Sequence, residues 1–183
     1  MTKTEIKALV NTAIEDNKLM NVYFRFDANY YNIIPLAAND KLFLAAIEDD
    51  FIMDGFAVYR FKDLMKAKIK NDKCDEILRS EGVFDKLDIP DIDISSWQTV
   101  FESLKATGEN IIVEKQSLDE DEWEFVIGRI EDIYKKFAYV RHFDADGIWQ
   151  DEPYRIPYTE ITNITFKNRY VTVFSKYVNE LDK

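Results

Sequence analysis

Apolar side chains recur at helical spacing in two stretches of the chain. In the first stretch, five residues occupy positions i, i+3, i+4, i+7 and i+8: Ile6, Leu9, Val10, Ala13 and Ile14. Four apolar residues repeat this pattern 91 positions later: Trp97, Val100, Phe101 and Leu104. Thr2 with Glu5, and Ser95 with Gln98, provide a capping box at the start of each stretch. The pattern predicts two helices that each bury one face.

Short alternating stretches bounded by turn residues follow each helix and predict β-strands. In the first half we expect strands at 21–26, 30–38, 41–48, 56–61 and 65–70, a 3₁₀ turn at 62–64 and a short helix at 71–80. The turns between strands are expected at Asn39-Asp40 and Asp54-Gly55. In the second half we expect strands at 111–115, 123–130, 133–143, 148–158 and 161–166, and an extra apolar strand at 169–178. Turns are expected there at Glu131-Asp132 and Asp146-Gly147.

The two halves repeat one another in order and in spacing. FIMDGF at 51–56 aligns with FDADGI at 143–148, a spacing of 92, and the segments 61–71 and 158–168 align at a spacing of 97. An insertion near 151–153 accounts for the drift. We therefore predict a β-rich α+β protein with an internal duplication, in which repeats at 1–88 and 89–183 each consist of a helix followed by a five-stranded, strongly bent antiparallel small barrel.

The segments YRIPYTEITNI at 154–164 and YRFKDLMKA at 59–67 place a short turn between the last two strands of each half. This layout resembles the Sm-like and SH3-like small barrels, and the end of the chain looks like the last strands of WYL-type regulatory domains. The resemblance implies binding of RNA, nucleotides, peptides or other subunits. No motif for ligand contact matches residue by residue, so no functional residue is assigned from it.

Charge and cysteine content narrow the classes of partner and compartment. The net charge is −11, and residues 89–183 carry 11 Lys and Arg against 19 Asp and Glu. Such a surface repels phosphate backbones and disfavours DNA binding. Cys74 is the only cysteine, and neither a leader nor a membrane-spanning run of apolar residues is recognisable. We therefore expect a cytoplasmic protein with no disulfide of its own.

One local segment has the opposite charge. Residues 60–73 hold six basic residues against two acidic ones, and Lys66, Lys68 and Lys70 alternate along one predicted strand beside Arg60 and Lys62. These five residues could contact phosphates while Tyr30, Tyr31 or Tyr59 stacks on bases. They are also typical of an edge strand that lysines protect from pairing with other chains, and we favour this second interpretation.

Catalytic and metal-binding patterns are weak in this sequence. His142, Asp144 and Asp146 alternate and could hold a divalent metal, but hairpin polar residues are the more ordinary explanation. Cys74 is followed by two acidic residues, which would raise its pKa. No nucleophile and base appear at a recognisable spacing. We expect a chain that is not an enzyme and needs no cofactor.

The remaining aromatic residues bear on the kind of partner. Trp123, Trp149, Tyr154 and Tyr158 are expected in the core or between barrels, whereas exposure of several on one face would indicate a peptide or protein groove. We predict a non-catalytic interaction or regulatory module with a protein or peptide partner, with self-association possible and no membrane contact. The alternative is an Sm-like RNA-binding protein that uses residues 60–73.

Overall fold

The computed structural model describes residues 1–178. They form two compact units that meet in sequence between Pro90 and Asp91, two positions beyond the division expected from the repeat. Helices and a larger number of antiparallel strands make up both units, so the predicted β-rich α+β class is confirmed. In the part of the chain that is described, no helix is long and apolar enough to cross a membrane.

Unit 1 contains two helices and five strands. They are α1 (Lys3–Glu15), β1 (Met20–Phe24), β2 (Tyr30–Ala38), β3 (Leu42–Asp49), β4 (Ile52–Arg60), β5 (Leu64–Ile69) and α2 (Lys73–Ser80), with a 3₁₀ turn at Phe61–Asp63 between β4 and β5. Antiparallel ladders give the order β5-β1-β2-β3-β4. The capping box predicted at Thr2 and Glu5 begins α1.

The core of unit 1 lies between α1 and one face of this sheet. Ile6, Val10 and Ala13 of α1 pack with alternate strand residues, among them Val22, Ile33, Phe43, Ala57 and Ala67. The period of two in a strand sends the residues in between to the opposite face, which we call the outer face. Asn21, Tyr23, Lys66 and Lys68 belong to it.

The hairpin between β3 and β4 turns at a different place from the one predicted. Its turn consists of Asp50 and Phe51, both with positive φ (46° and 69°). Gly55, also at positive φ, lies inside β4, where the register shifts between Ala46 and Glu48. The glycine therefore serves a bulge instead of the expected turn at Asp54-Gly55.

Unit 2 has the same order of helices and strands, but its 3₁₀ turn lies between its first two strands. Its elements are α3 (Trp97–Thr107), β6 (Ile111–Lys115), β7 (Glu124–Ile133), β8 (Phe137–His142), β9 (Tyr154–Pro157), β10 (Asn163–Phe166) and α4 (Arg169–Phe174), with a 3₁₀ turn at Glu120–Glu122. Its ladders give the order β10-β6-β7-β8-β9. Ser96, one residue after the predicted Ser95, caps α3 and pairs with Thr99 in the capping box.

Three predictions for unit 2 are wrong. The β7–β8 turn lies at Lys135-Lys136, closed by the Tyr134 N–H donating to the Phe137 carbonyl (2.9 Å), and Glu131-Asp132 remain in β7. The strand expected at 148–158 is reduced to β9. Residues 169–174 form a helix, not a strand, because Asn168 caps its first turn and Val171 and Phe174, at helical spacing, pack with Ile112 and Ile127. The turn at Asp146-Gly147 is confirmed.

Candidate binding surfaces on the two sheets

The basic residues predicted as a site do not form one surface. Arg60 is buried, with Nε 2.5 Å from Asp63 Oδ2, and Lys70 is buried with Nζ 3.8 Å from Asp72 Oδ2. Lys62 is exposed on the 3₁₀ turn. Lys66 and Lys68 remain exposed on β5, which pairs only with β1 in the ladder order of unit 1. The five-residue phosphate site is therefore wrong as a single surface, and β5 has the lysine-bearing edge expected of a protected strand.

Of the three tyrosines proposed for base stacking, only one is on the same face as these lysines. Tyr59 is buried in the core of unit 1. Tyr31 packs against that core and donates its hydroxyl to Asp27 Oδ2 (2.5 Å). Tyr30 is exposed on the outer face and contacts Tyr23, with 5.7 Å between ring centroids.

Tyr23 connects Tyr30 to the lysines. It pairs with Tyr30 in β2 and Lys66 in β5, and the Lys66 ammonium lies 5.2 Å from its ring centroid. We call Lys66, Tyr23 and Tyr30 the tyrosine–lysine row. Beside it, Asn21 pairs with Lys68 and donates an amide N–H to Asn32 (2.6 Å).

The corresponding face of unit 2 contains a cleft. Its volume is about 400 Å³, and it is lined by residues of β6, β7 and β10, of the link that follows β10, and of α4: Ile112, Glu114, Phe125, Thr165, Asn168 and Tyr170. We call it the Glu114 cleft. Glu114 pairs with Phe125 in β7 and Asn163 in β10, so the three form a row that matches the tyrosine–lysine row of unit 1.

Glu114 is the charged group of this cleft. Burial raises the pKa of its carboxyl group, while hydrogen bonds from the side chains of Asn163 and Trp123 oppose that rise. Asn163 is held in turn by the Thr165 hydroxyl, 3.4 Å from its Oδ1. Among the ion pairs of the described residues, none involves Glu114. Both side chains that lower the pKa of Glu114, Asn163 and Trp123, are therefore neutral.

Three large aromatic side chains around Glu114 are exposed to solvent. Trp123 is 51% exposed, Phe125 43% and Tyr170 54%, and the Phe125 and Tyr170 rings meet edge to face at 6.2 Å. The prediction that Trp123 packs in a core is therefore wrong. The three residues form an exposed aromatic group of the kind expected of a protein or peptide groove, but of the four aromatic residues named for such a groove in the sequence only Trp123 belongs to it.

Of the other three aromatic residues predicted to pack, two are packed and one is exposed. Trp149 contacts Phe143 (5.1 Å) beside the α4 cluster, and Tyr158 stacks on Phe101 (5.6 Å), as expected for packing residues. Tyr154 is exposed and donates its hydroxyl to Glu124 (2.8 Å). Burial of the hydroxyl, reinforced by Glu124, raises the pKa of Tyr154 to about 12.

The metal hypothesis has no geometric support in residues 1–178, where no group of three or more His, Cys, Asp or Glu is placed to hold an ion. Asp144 instead accepts the backbone N–H groups of Asp146 and Ile148, both at 3.0 Å. His142 lies edge-on to Tyr154, and burial lowers its pKa. The pKa of Cys74 is raised as expected, with burial as the largest cause.

Sequence reasoning missed Tyr23, Glu114, Phe125 and Tyr170. One signal was present for Glu114, which is a single acidic residue after the apolar run Ile111–Val113. Tyr23, Phe125 and Tyr170 could be recognised as surface residues of these sites only once the strand register and α4 were known.

No protein-family model, curated protein or solved structure matches the chain.

Proposed function

We propose that the chain is a non-catalytic binding module made of two tandem small-barrel units, and that unit 2 contacts a partner protein through the Glu114 cleft. The observation that carries this proposal is that two exposed aromatic side chains, Phe125 and Tyr170, line one cleft, with a third exposed aromatic residue, Trp123, two positions before Phe125 in the sequence. Aromatic residues are enriched at protein interfaces, where they bury large area at low entropic cost.

The tandem nature of the module is supported by matching ladders. Met20 pairs with Ile33 and Ile69 in unit 1, and Ile111 pairs with Gly128 and Phe166 in unit 2. The three positions are separated by 91, 95 and 97 residues, a drift close to the one seen in the sequence repeat. The same strand order in both units is compatible with the Sm-like and SH3-like barrels and with duplication of one ancestral unit.

A non-catalytic role is supported by the surroundings of the reactive side chains. The raised pKa of Cys74 favours the thiol, which is a poor nucleophile. The lowered pKa of His142 favours the neutral ring, but the groups that act on it are Tyr154, the Val140 backbone and the charges of Arg141 and Asp144, and none of these is a Ser or Cys nucleophile. These groups are better suited to structure than to turnover.

The experiment is a quantitative pull-down with the full chain and a cleft variant, Trp123→Ala/Phe125→Ala/Tyr170→Ala. The control is Tyr134→Ala, which removes an exposed aromatic residue from the β7–β8 turn of the same unit. We expect at least one protein that binds the native chain and the control, and is lost from the cleft variant. Identical captured proteins from all three chains would contradict the proposal.

A second candidate, RNA binding by unit 1, is favoured by the tyrosine–lysine row. Two exposed lysines lie beside an aromatic pair whose neighbours Asn21 and Asn32 carry amides, and these groups suit stacking and hydrogen bonding of single-stranded bases. A labelled oligouridylate titrated at low and at physiological salt tests it. Binding should weaken with salt and be lost in Lys66→Glu/Lys68→Glu but kept in Lys62→Glu. Equal binding by both variants would exclude the row as the RNA site.

A further inference from the structure

Glu114 has capacity for another hydrogen-bond donor. An ionised carboxylate offers about four lone-pair positions, and the side chains whose hydrogen bonding lowers the pKa of Glu114 are those of Asn163 and Trp123. Both donors are neutral, and no described ion pair compensates the charge. A partly buried carboxylate in this state is stabilised by any cation that enters the cleft.

The walls of the cleft favour a cation as well. Phe125 and Tyr170 line it, and the exposed Trp123 side chain is close enough to Glu114 to lower the pKa of its carboxyl group. Aromatic faces attract ammonium groups through the ring quadrupole. An anionic ligand would meet Glu114 and the acidic balance of residues 89–183, where 19 Asp and Glu face 11 Lys and Arg.

The cleft also has an apolar part. Ile112 and the phenyl ring of Phe125 both line it, and the volume of about 400 Å³ exceeds that of a bare ammonium group. A lysine side chain satisfies both requirements, since its four-carbon stem packs on apolar surface while its ammonium reaches a carboxylate. Arginine binds carboxylates most strongly through two parallel bonds, and hydrogen bonding by Asn163 and Trp123 competes for the same oxygens of Glu114.

From these observations we infer that the Glu114 cleft binds the ε-ammonium group of a lysine presented by the partner protein. This inference rests on the proposed function, because it names the chemical group that the same cleft recognises. Glu114 supplies the charge, Asn163 and Trp123 orient it, and Phe125 and Tyr170 enclose the ammonium.

The test is an NMR titration of the isotope-labelled full chain with three capped pentapeptides that differ only at the central residue. The centre is lysine, norleucine (which lacks the ammonium but keeps the stem) or arginine, with glycine and serine on both sides. We expect the lysine peptide to shift the Trp123 indole N–H and the Phe125 amide. The norleucine and arginine peptides should bind at least about tenfold more weakly.

Two variants separate charge recognition from folding. Glu114→Gln keeps the shape of the side chain and should weaken the lysine peptide at least about tenfold, whereas the exposed Glu109→Gln of the same unit should not. Amide spectra of both variants that match the native chain show that the fold is retained. If Glu114→Gln unfolds unit 2, Phe125→Leu, which removes only the aromatic ring, should weaken the lysine peptide and leave the norleucine peptide unchanged.

Three results would overturn the inference: no shift with the lysine peptide, equal binding of lysine and norleucine, or tighter binding of arginine. The pull-down distinguishes this inference from the proposed function. A partner lost from the triple aromatic variant but retained by Glu114→Gln would leave the interaction surface in place and reject lysine recognition.

Discussion

The outer faces of the two units carry different chemistry at matching ladder positions. Unit 1 has Lys66, Tyr23 and Tyr30 across three strands, and unit 2 has Asn163, Glu114 and Phe125. An aromatic residue occupies the third position in both rows. The first two positions change from cation and phenol to amide and carboxylate, and in unit 2 α4 adds Tyr170 to the wall. The shared strand order thus predicts where side chains lie, whereas their identity decides which ligands they suit.

The comparison can be tested first in the helices that cover the cores. Val10 and Phe101 are matching residues of α1 and α3, and both are fully buried. Phe101→Ala should lower the free energy of unfolding by about 3–5 kcal/mol, and Val10→Ala by about 1–3 kcal/mol, because a larger cavity is left in α3. Tryptophan fluorescence during denaturation measures the effect of Phe101→Ala in unit 2, which contains Trp97, Trp123 and Trp149, and hydrogen exchange followed by mass spectrometry measures the effect of Val10→Ala in unit 1. Equal losses of stability in the two variants would contradict the expectation that α1 and α3 pack on their sheets in the same way.

A second difference concerns the carboxylate of the turn before the last strand. Asp63 is 2% exposed and lies near both Arg60 and Arg25, whereas its counterpart Glu160 is exposed and 3.8 Å from Lys115. Asp63→Asn should cost about 3–5 kcal/mol, since it leaves buried charge without its partner. Glu160→Gln should cost less than about 1 kcal/mol. Hydrogen exchange followed by mass spectrometry measures the loss of stability in each unit separately. A loss of less than about 1 kcal/mol for Asp63→Asn would contradict the role of Asp63 as the partner of a buried charge.

The third test is at Gly128, which matches the fully buried Ile33 of unit 1. A Cβ at Gly128 would lie 1.9 Å from the carbonyl oxygen of Arg141, so β7 and β8 would have to separate. Gly128→Ala should cost about 3 kcal/mol, and Ile33→Val should cost about 1 kcal/mol. Denaturation midpoints measure both. A neutral Gly128→Ala would show that the β7–β8 approach is looser than described.

The smallest expected effect distinguishes the two capping boxes. The backbone and hydroxyl of Thr2 lower the pKa of Glu5, whereas the matching residue Thr99 does not titrate. Because the pKa of Glu5 is lower in the folded than in the unfolded chain, ionised Glu5 stabilises α1. This stabilisation is complete above the ordinary glutamate pKa and is lost as the pH falls through the lowered value. Amide exchange in α1 should therefore differ between the native chain and Glu5→Ala near neutral pH and converge in acid. The effect of Thr99→Ala on α3 should persist at both pH values.

Local patterns predicted three of the four helices in the described residues, α1, α2 and α3, and most of the strands. The apolar stripe and the capping box at Thr2 define α1, and the strand expected at 30–38 coincides with β2. Such features depend on neighbours in sequence, so the sequence alone contains them. The prediction of a turn at Asp54-Gly55 was wrong because a glycine with positive φ occurs in bulges as well as in hairpin turns. Which of the two forms depends on the register with the partner strand.

The binding surfaces could be predicted from the sequence much less well than the helices and strands. Alternation placed Lys66 and Lys68 on one face correctly, but Arg60 and Lys70 were counted as free charges when both are buried in ion pairs. Glu114, Phe125 and Tyr170 are 11 to 56 residues apart in the chain. Their cleft results from the β6–β7 register and from α4, whose apolar residues suggested a strand.

The turn at Asp50 and Phe51 indicates where this chain could gain stability. Both backbones adopt the left-handed conformation that non-glycine residues enter at a cost of about 1–2 kcal/mol each. Phe51 is exposed, so its ring recovers little of that cost by packing. An asparagine–glycine pair would suit the tip of this hairpin without disturbing the core, the lysine-bearing strand or the cleft. The tip is therefore a natural point at which to strengthen the protein before its binding surfaces are altered.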